Sequence, residues 1–125
     1  MGRDDYLSVL DLKRLANGLP WTLPVTLAVA GAEAERLAED SDVALHSAAG
    51  ALLGVLHLRE LYPVDKEAEA EKVLLTTDER QPGMQYLKGT GNYCLGGPII
   101  LLQRPPNSPF TNFLLDPRET RLLFK

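Results

Sequence analysis

Nine prolines and ten glycines punctuate this chain and hold its regular elements short. A proline has a fixed φ and no N–H to donate, so it stops a helix or a strand except at the first helical position or a sheet edge. Pro20 and Pro24 bracket Trp21 and predict an extended stretch or a sheet edge there. Pro63 ends a strand, Pro82 sits at the first position of a helical turn, and Pro105, Pro106 and Pro109 stiffen a loop over Arg104–Pro109. The apolar stretches between these stops, such as Leu52–Leu58, fall far short of the roughly 20 residues that span a bilayer. No membrane segment is expected.

Between the stops the periodicity is readable. Asp4 and Asp5 are placed to cap a first helix whose buried face carries Tyr6, Val9, Leu10 and Lys13, and Asn17-Gly18 is the predicted end. The β-branched run Val25 to Val29 predicts a strand. Gly31 to Ala38 reads as a short helix with Ala34, Leu37 and Ala38 inward. Asp42 to His46 and Leu52 to Tyr62 read as two strands of a hairpin joined through Ala48-Ala49-Gly50. In the second of them, alternation sets Leu52, Leu56 and Leu58 against Val55, His57 and Arg59. Asp65 caps an acidic helix through about Leu75, with Ala70, Val73 and Leu74 as its buried stripe. Pro82 to Lys88 is helical, and Ile99 to Gln103 reads as an apolar strand buried on both faces. Asp116-Pro117-Arg118-Glu119 starts a last helix, with an N-cap, a proline at N1 and an acid at N3.

Charge and cysteine usage narrow the function classes. Thirteen Lys and Arg against seventeen Asp and Glu leave a net charge of -4, and the positive residues form no run. Nucleic-acid binding needs a basic face that displaces counterions, so no nucleic-acid partner is expected. At 125 residues the chain is long enough for one domain with its own core. The single cysteine excludes an internal disulfide, and the opening Gly2-Arg3-Asp4-Asp5 lacks the pattern of a signal peptide; both predict a cytoplasmic protein.

Side chains that could carry chemistry are few. His46 and His57 lie eleven residues apart on predicted strands, and one cysteine gives zinc a poor ligand count, so both read as partly exposed sheet histidines. Cys94 has no adjacent base to lower its pKa and reads as a small buried hydrophobe. Gly89-Thr90-Gly91-Asn92 fits neither phosphate-loop pattern, and Gly96-Gly97 precedes Pro98 and a strand, so tight turns or a bulge explain these glycines. Glu67, Glu69 and Glu71 diverge around a helix and read as a solvated face. Trp21 reads as a core or edge anchor. No catalytic, cofactor-binding or metal residue emerges.

Several residue strings are nonetheless specific. Arg14-Leu15-Ala16-Asn17-Gly18 followed by Trp21-Thr22-Leu23-Pro24-Val25-Thr26-Leu27 resembles the "RLADGTLW-PIPVTLDV" stretch of ATP sulfurylase (sulfate adenylyltransferase). Val43-Ala44-Leu45, Glu60-Leu61-Tyr62, Glu69-Ala70-Glu71-Lys72-Val73, Pro82, Tyr86-Leu87, Gly91-Asn92-Tyr93 and Gly96-Gly97-Pro98 follow in that family's order. Asp116 to Phe124 is similar to family endings of the form "TPAETRALF". Asn92 and Cys94 stand where the family more often carries Asp and Tyr.

The resemblance is to the N-terminal domain of that enzyme. It implies an α+β fold for residues 1–125, a PUA-like, β-barrel-like mixed sheet with short flanking helices. In the family, ATP and sulfate are bound by QxRN and HxxH motifs of a second domain, and neither string occurs in this chain. No catalytic residue and no cofactor therefore carries over. Met1-Gly2-Arg3-Asp4-Asp5-Tyr6 is similar to an interior "GFMxRxDY" stretch, so the domain is expected to be truncated at its start, and at its end where the linker to the catalytic domain would begin. Two functions follow: a non-catalytic structural or interaction domain, or a fragment of a working sulfate adenylyltransferase that makes adenosine 5'-phosphosulfate with ATP and Mg²⁺ bound elsewhere. The expected partners are a second copy of the chain, through an uncovered sheet edge, and an ATP sulfurylase catalytic domain in cis or in trans.

Overall fold

The computed structural model describes residues 1–103 and 114–124. Its elements run α1 (Arg3–Leu12), β1 (Ala28–Val29), α2 (Gly31–Ala34), β2 (Ser41–His46), β3 (Leu52–Leu58), β4 (Glu60–Pro63), α3 (Lys66–Glu69), α4 (Pro82–Gly89), β5 (Tyr93–Gly96), β6 (Ile99–Leu101) and α5 (Pro117–Leu123). The strands form two three-stranded sheets, β1-β5-β4 and β2-β3-β6. Every pairing is antiparallel, so the α+β class holds, while the described strands do not close into a barrel and the sheets are not mixed. The predicted loop Arg104–Pro109 lies outside the described residues.

One shared switch of sheets organises the molecule. The sequence predicts a single strand over 52–62, but the chain changes sheets at Arg59: β3 pairs with β2 and β6, whereas β4 pairs with β5. Arg59 N–H donates to the Gly96 carbonyl (2.9 Å) and His57 N–H to that of Pro98 (3.0 Å). The β5-to-β6 connection thus runs antiparallel beside the β3-to-β4 connection, and the two stay paired across the switch. Gly97 is required there, because a Cβ on it would lie 2.0 Å from the His57 oxygen. Gly91 and Gly97 serve close backbone approach, and Tyr93–Gly96 between them is a strand that the density of glycines concealed in the sequence.

The core follows the predicted alternation. Leu56 and Leu58 are fully buried and pack with Leu95, backed by Val43, Leu45 and Leu37. A second cluster joins Tyr6 and Leu10 of α1 to Tyr62 and Cys94, and a third joins Ala70 to Met84 and Leu87. Each fully buried aliphatic side chain contributes roughly 1.5–3 kcal/mol. The β2–β3 hairpin turns where expected, with Gly50 at φ +83°.

Several boundaries move, each for a local reason. Gly2 occupies the N-cap of α1, with Asp4 and Asp5 inside its first turn, where the helix dipole favours them. The helix ends at Lys13, which takes a left-handed conformation, and Gly18 serves the turn that follows. Only Ala28–Val29 of the predicted strand 25–29 pairs as a strand, although the Leu27 carbonyl still accepts from Leu95 N–H (2.9 Å). Past Ala34 the chain leaves the helix, so Leu37 is half-buried and Ala38 exposed. Asp65 does cap α3, accepting from Glu67 and Ala68 N–H, and the helix then widens into a π-helical turn over Ala70–Leu74. α5 carries the predicted capping box, with Asp116 accepting from Arg118 and Glu119 N–H. The clearest departure is β6: it is expected buried on both faces and is exposed along its length, because it is an edge strand.

Candidate functional site

A cleft of about 690 Å³ lies between the proline-led segment Pro24–Ala30 and the C-terminal end of α4. Cys94, Glu69 and Val64 line it from the core side, and Tyr86, Thr90 and Gly91 from the α4 side. Extended backbone forms one wall because Pro24 precludes a ladder at its own position and β1 pairs with β5 only further along. Gly91 lets the walls meet: a Cβ there would lie 2.0 Å from the Val29 oxygen.

At the floor a small polar network threads the core. Tyr6 donates its hydroxyl to Glu69 Oε2 (2.7 Å), and Tyr62 donates to the Met1 carbonyl (2.9 Å). The two rings lie 5.8 Å apart and are tilted at 46°. Burial, and then the Glu69 carboxylate, push the Tyr6 phenol well above the ordinary tyrosine range. Burial followed by the neighbouring thiol and carboxylates does the same at Tyr62. Burial also raises the Cys94 thiol, with a Thr26 hydrogen bond in partial opposition. All three groups thus hold their protons at neutral pH, and none is a nucleophile or a base there.

Cys94 is therefore the small buried residue that its surroundings imply. Glu69 departs from expectation: Glu67 and Glu71 are exposed, whereas Glu69 turns inward to accept from Tyr6. Its signal was present in the sequence as a carboxylate one position before the buried Ala70, opposite a helix that presents a tyrosine on its apolar face. The histidines stay apart in role. His57 meets Asp42 across the β2–β3 pair (Nδ1 to Oδ1, 2.9 Å), and His46 Nδ1 lies 3.0 Å from the Gly50 carbonyl. Among the described residues, no three His, Cys, Asp or Glu side chains converge on a point that could hold a metal ion. Trp21 is 42% exposed, and with Leu19, Leu23 and Val25 it makes an apolar ridge along the proline-bracketed segment. Among the described residues no helix is long and apolar enough to cross a membrane.

Known proteins place this arrangement. The chain is 48% identical over 125 residues to a sulfate adenylyltransferase of Synechococcus sp. (strain JA-3-3Ab), covering 100% of this chain and 32% of that protein. It is 46% identical over 124 residues to a sulfate adenylyltransferase of Symbiobacterium thermophilum, covering 99% of this chain and 31% of the relative. It thus spans about a third of the length of these relatives. Among solved structures, a hexameric APS kinase from Thiobacillus denitrificans superposes with a TM-score of 0.62 at 21% identity, over 99% of this chain and 20% of that one, a likeness of fold alone. Residues 1–104 match the family model described as a PUA-like domain, and the chain belongs to the PUA-like domain family.

Proposed function

We propose that this chain is a non-catalytic PUA-like structural and interaction domain of the sulfate adenylyltransferase type, acting without a bound cofactor. One observation carries the reading: the apolar surface that this fold leaves uncovered. Among the described residues, the Trp21 ridge, the whole of β6 and the last turn of α5 (Leu122, Leu123, Phe124) are exposed outside the core around Leu56, Leu58 and Cys94. Large uncovered apolar surface marks contact with another protein surface. The partners proposed for it are a sulfate adenylyltransferase catalytic domain, in cis or in trans, and a second copy of the chain. The buried free thiol suits a reducing compartment, and we place the protein in the cytoplasm.

The reading is tested by incubating the purified chain with ATP, sulfate, Mg²⁺ and pyrophosphatase and following phosphate release. No turnover above the enzyme-free control is expected. Turnover abolished by withholding sulfate overturns the proposal.

A second reading rests on the length of the relatives, of which this chain spans 31–32%. In it the chain is part of a working sulfate adenylyltransferase that converts ATP and sulfate to adenosine 5'-phosphosulfate and pyrophosphate at residues beyond this sequence. In-frame coding for a QxRN string downstream in the DNA favours this version, and a stop codon directly after Lys125 defeats it.

A further inference from the structure

We infer that the free edge of β6 is the contact through which two copies of this chain associate, by antiparallel pairing of β6 with its two-fold mate into a continuous six-stranded sheet. The inference rests on the interaction-domain reading and names its surface and partner.

The backbone sets the register. Among the described residues β6 pairs with β3 on one side only, with Ile100 opposite Val55. Pro98 accepts from His57 N–H and Leu102 N–H donates to Leu53, so the even-numbered residues of this stretch bond toward β3. In an antiparallel ladder such bonding alternates, which leaves the N–H and C=O groups of Ile99 and Leu101 on the open edge. A two-fold axis at Ile100 then sets Ile99 against Leu101 of the second copy and Leu101 against Ile99. Those two pairs exchange four hydrogen bonds, and Ile100 faces its own symmetry mate in the closer, non-hydrogen-bonded pairing.

Side chains argue the same way. Ile99, Ile100, Leu101 and Leu102 are 56%, 67%, 61% and 55% exposed, on both faces of the strand. Edge strands that stay single are blunted by lysine, proline or an inward charge, and this run has no charged residue and no proline after Pro98. Four side chains uncovered to this degree leave on the order of 400 Å² of apolar surface, within the range of the largest patch on an ordinary monomer. Edge-to-edge pairing covers the outward flank of these side chains in both copies, a contact below the roughly 1,000 Å² of a stable interface and of the size of a weak, reversible dimer. An edge closed by its own copy also satisfies the outward polar groups, which apolar contact alone would bury unpaired.

Light scattering on the full chain across micromolar to hundred-micromolar concentrations tests the association. The expected result is a mass of twice 13.7 kDa at the upper end, and half that mass for the double variant Ile99→Lys/Leu101→Lys with its circular dichroism unchanged. Leu122→Lys, on the exposed face of α5, should remain dimeric. The register is tested separately by Ile100→Cys, because facing residues in such a pair are about 4.5 Å apart at Cα, within disulfide reach. Mild oxidation should give a covalent dimer of Ile100→Cys and none of Leu122→Cys. A wild-type chain that stays monomeric at hundred-micromolar concentration overturns the inference. So does a dimer that survives Ile99→Lys/Leu101→Lys, or one that cross-links through Leu122→Cys and not through Ile100→Cys. Adenylyl transfer by the chain would instead defeat the non-catalytic reading while leaving these masses untouched, so the two failures are told apart.

Discussion

A methyl group at position 91 would overlap the Val29 carbonyl, with its carbon 2.0 Å from the oxygen and 2.1 Å from the carbonyl carbon. Both neighbours are backbone of β1, which cannot rotate aside as a side chain would. Gly91→Ala must therefore push β1 away from β5 and open the cleft, at an expected loss of about 1–3 kcal/mol, the usual range for overpacking. Urea denaturation followed at Trp21 would show it as a lower midpoint with an unchanged slope. Gly89→Ala, where nothing lies within reach of the added carbon, should leave the midpoint in place. The buried phenols add a second residue-scale outcome. Tyr6 and Tyr62 keep their protons in the native state well beyond the ordinary tyrosine value of 10.0, and Cys94 shifts in the same direction. Above about pH 9 for the thiol and about pH 10 for the phenols the unfolded chain releases these protons and the folded chain does not, so the unfolded state binds fewer. Stability is then fully present below about pH 9 and falls as pH rises, most steeply above 10 where the two phenols contribute. Thermal unfolding at pH 8 and pH 11 should show the drop, and Tyr6→Phe should make it shallower by removing one of the buried phenols.

At the scale of elements, local chemistry decides which starts are firm. Asp65 accepts from two N–H groups of α3 (3.1 and 3.0 Å), and the turn it caps runs into the π-helical segment that buries Ala70. Asp65→Ala leaves those donors unpaired at an expected cost of about 1 kcal/mol, read as a lower denaturation midpoint; Asp65→Asn, which still caps, should recover most of it. The same logic explains what was legible in the residues. Asp65, Pro82, and Asp116 with Pro117 each state a helix start through chemistry confined to a few neighbours. Alternation likewise gave the buried face of β3, because one face of that strand meets a core. The sheet switch at Arg59 was not legible, since nothing within 52–62 changes character there; the change comes from Gly96 and Gly97, nearly forty positions away, packing backbone to backbone beside it. β6 misled for a related reason. An unbroken apolar run describes a strand buried on both faces and an edge strand awaiting a partner equally well, and only the pairing order separates them. Inside the cleft, Cys94 was readable from its neighbours, whereas Glu69 needed the tyrosine of α1, sixty-three residues away, to give it an inward role.

For the whole molecule, the uncovered β6 edge turns stability into a function of concentration. When two folded copies associate and unfolded chains do not, mass action raises the melting temperature with total protein. A tenfold change in concentration is worth about 1.4 kcal/mol per dimer, or about 0.7 kcal/mol for each chain that unfolds. A chain of 125 residues has an unfolding entropy near 0.26 kcal/mol/K at its midpoint on the usual per-residue average, so the shift should be roughly 3 °C for each tenfold step. Differential scanning calorimetry at three concentrations a decade apart measures it directly. Ile99→Lys/Leu101→Lys should flatten the dependence while keeping a single cooperative transition, because its side chains lie outside all three core clusters. A wild-type midpoint that does not move with concentration would mean that the edge stays open at the temperature where the chain unfolds. In that event the sheet is held by its own three strands, and the exposed run of β6 is free for the catalytic-domain partner proposed above.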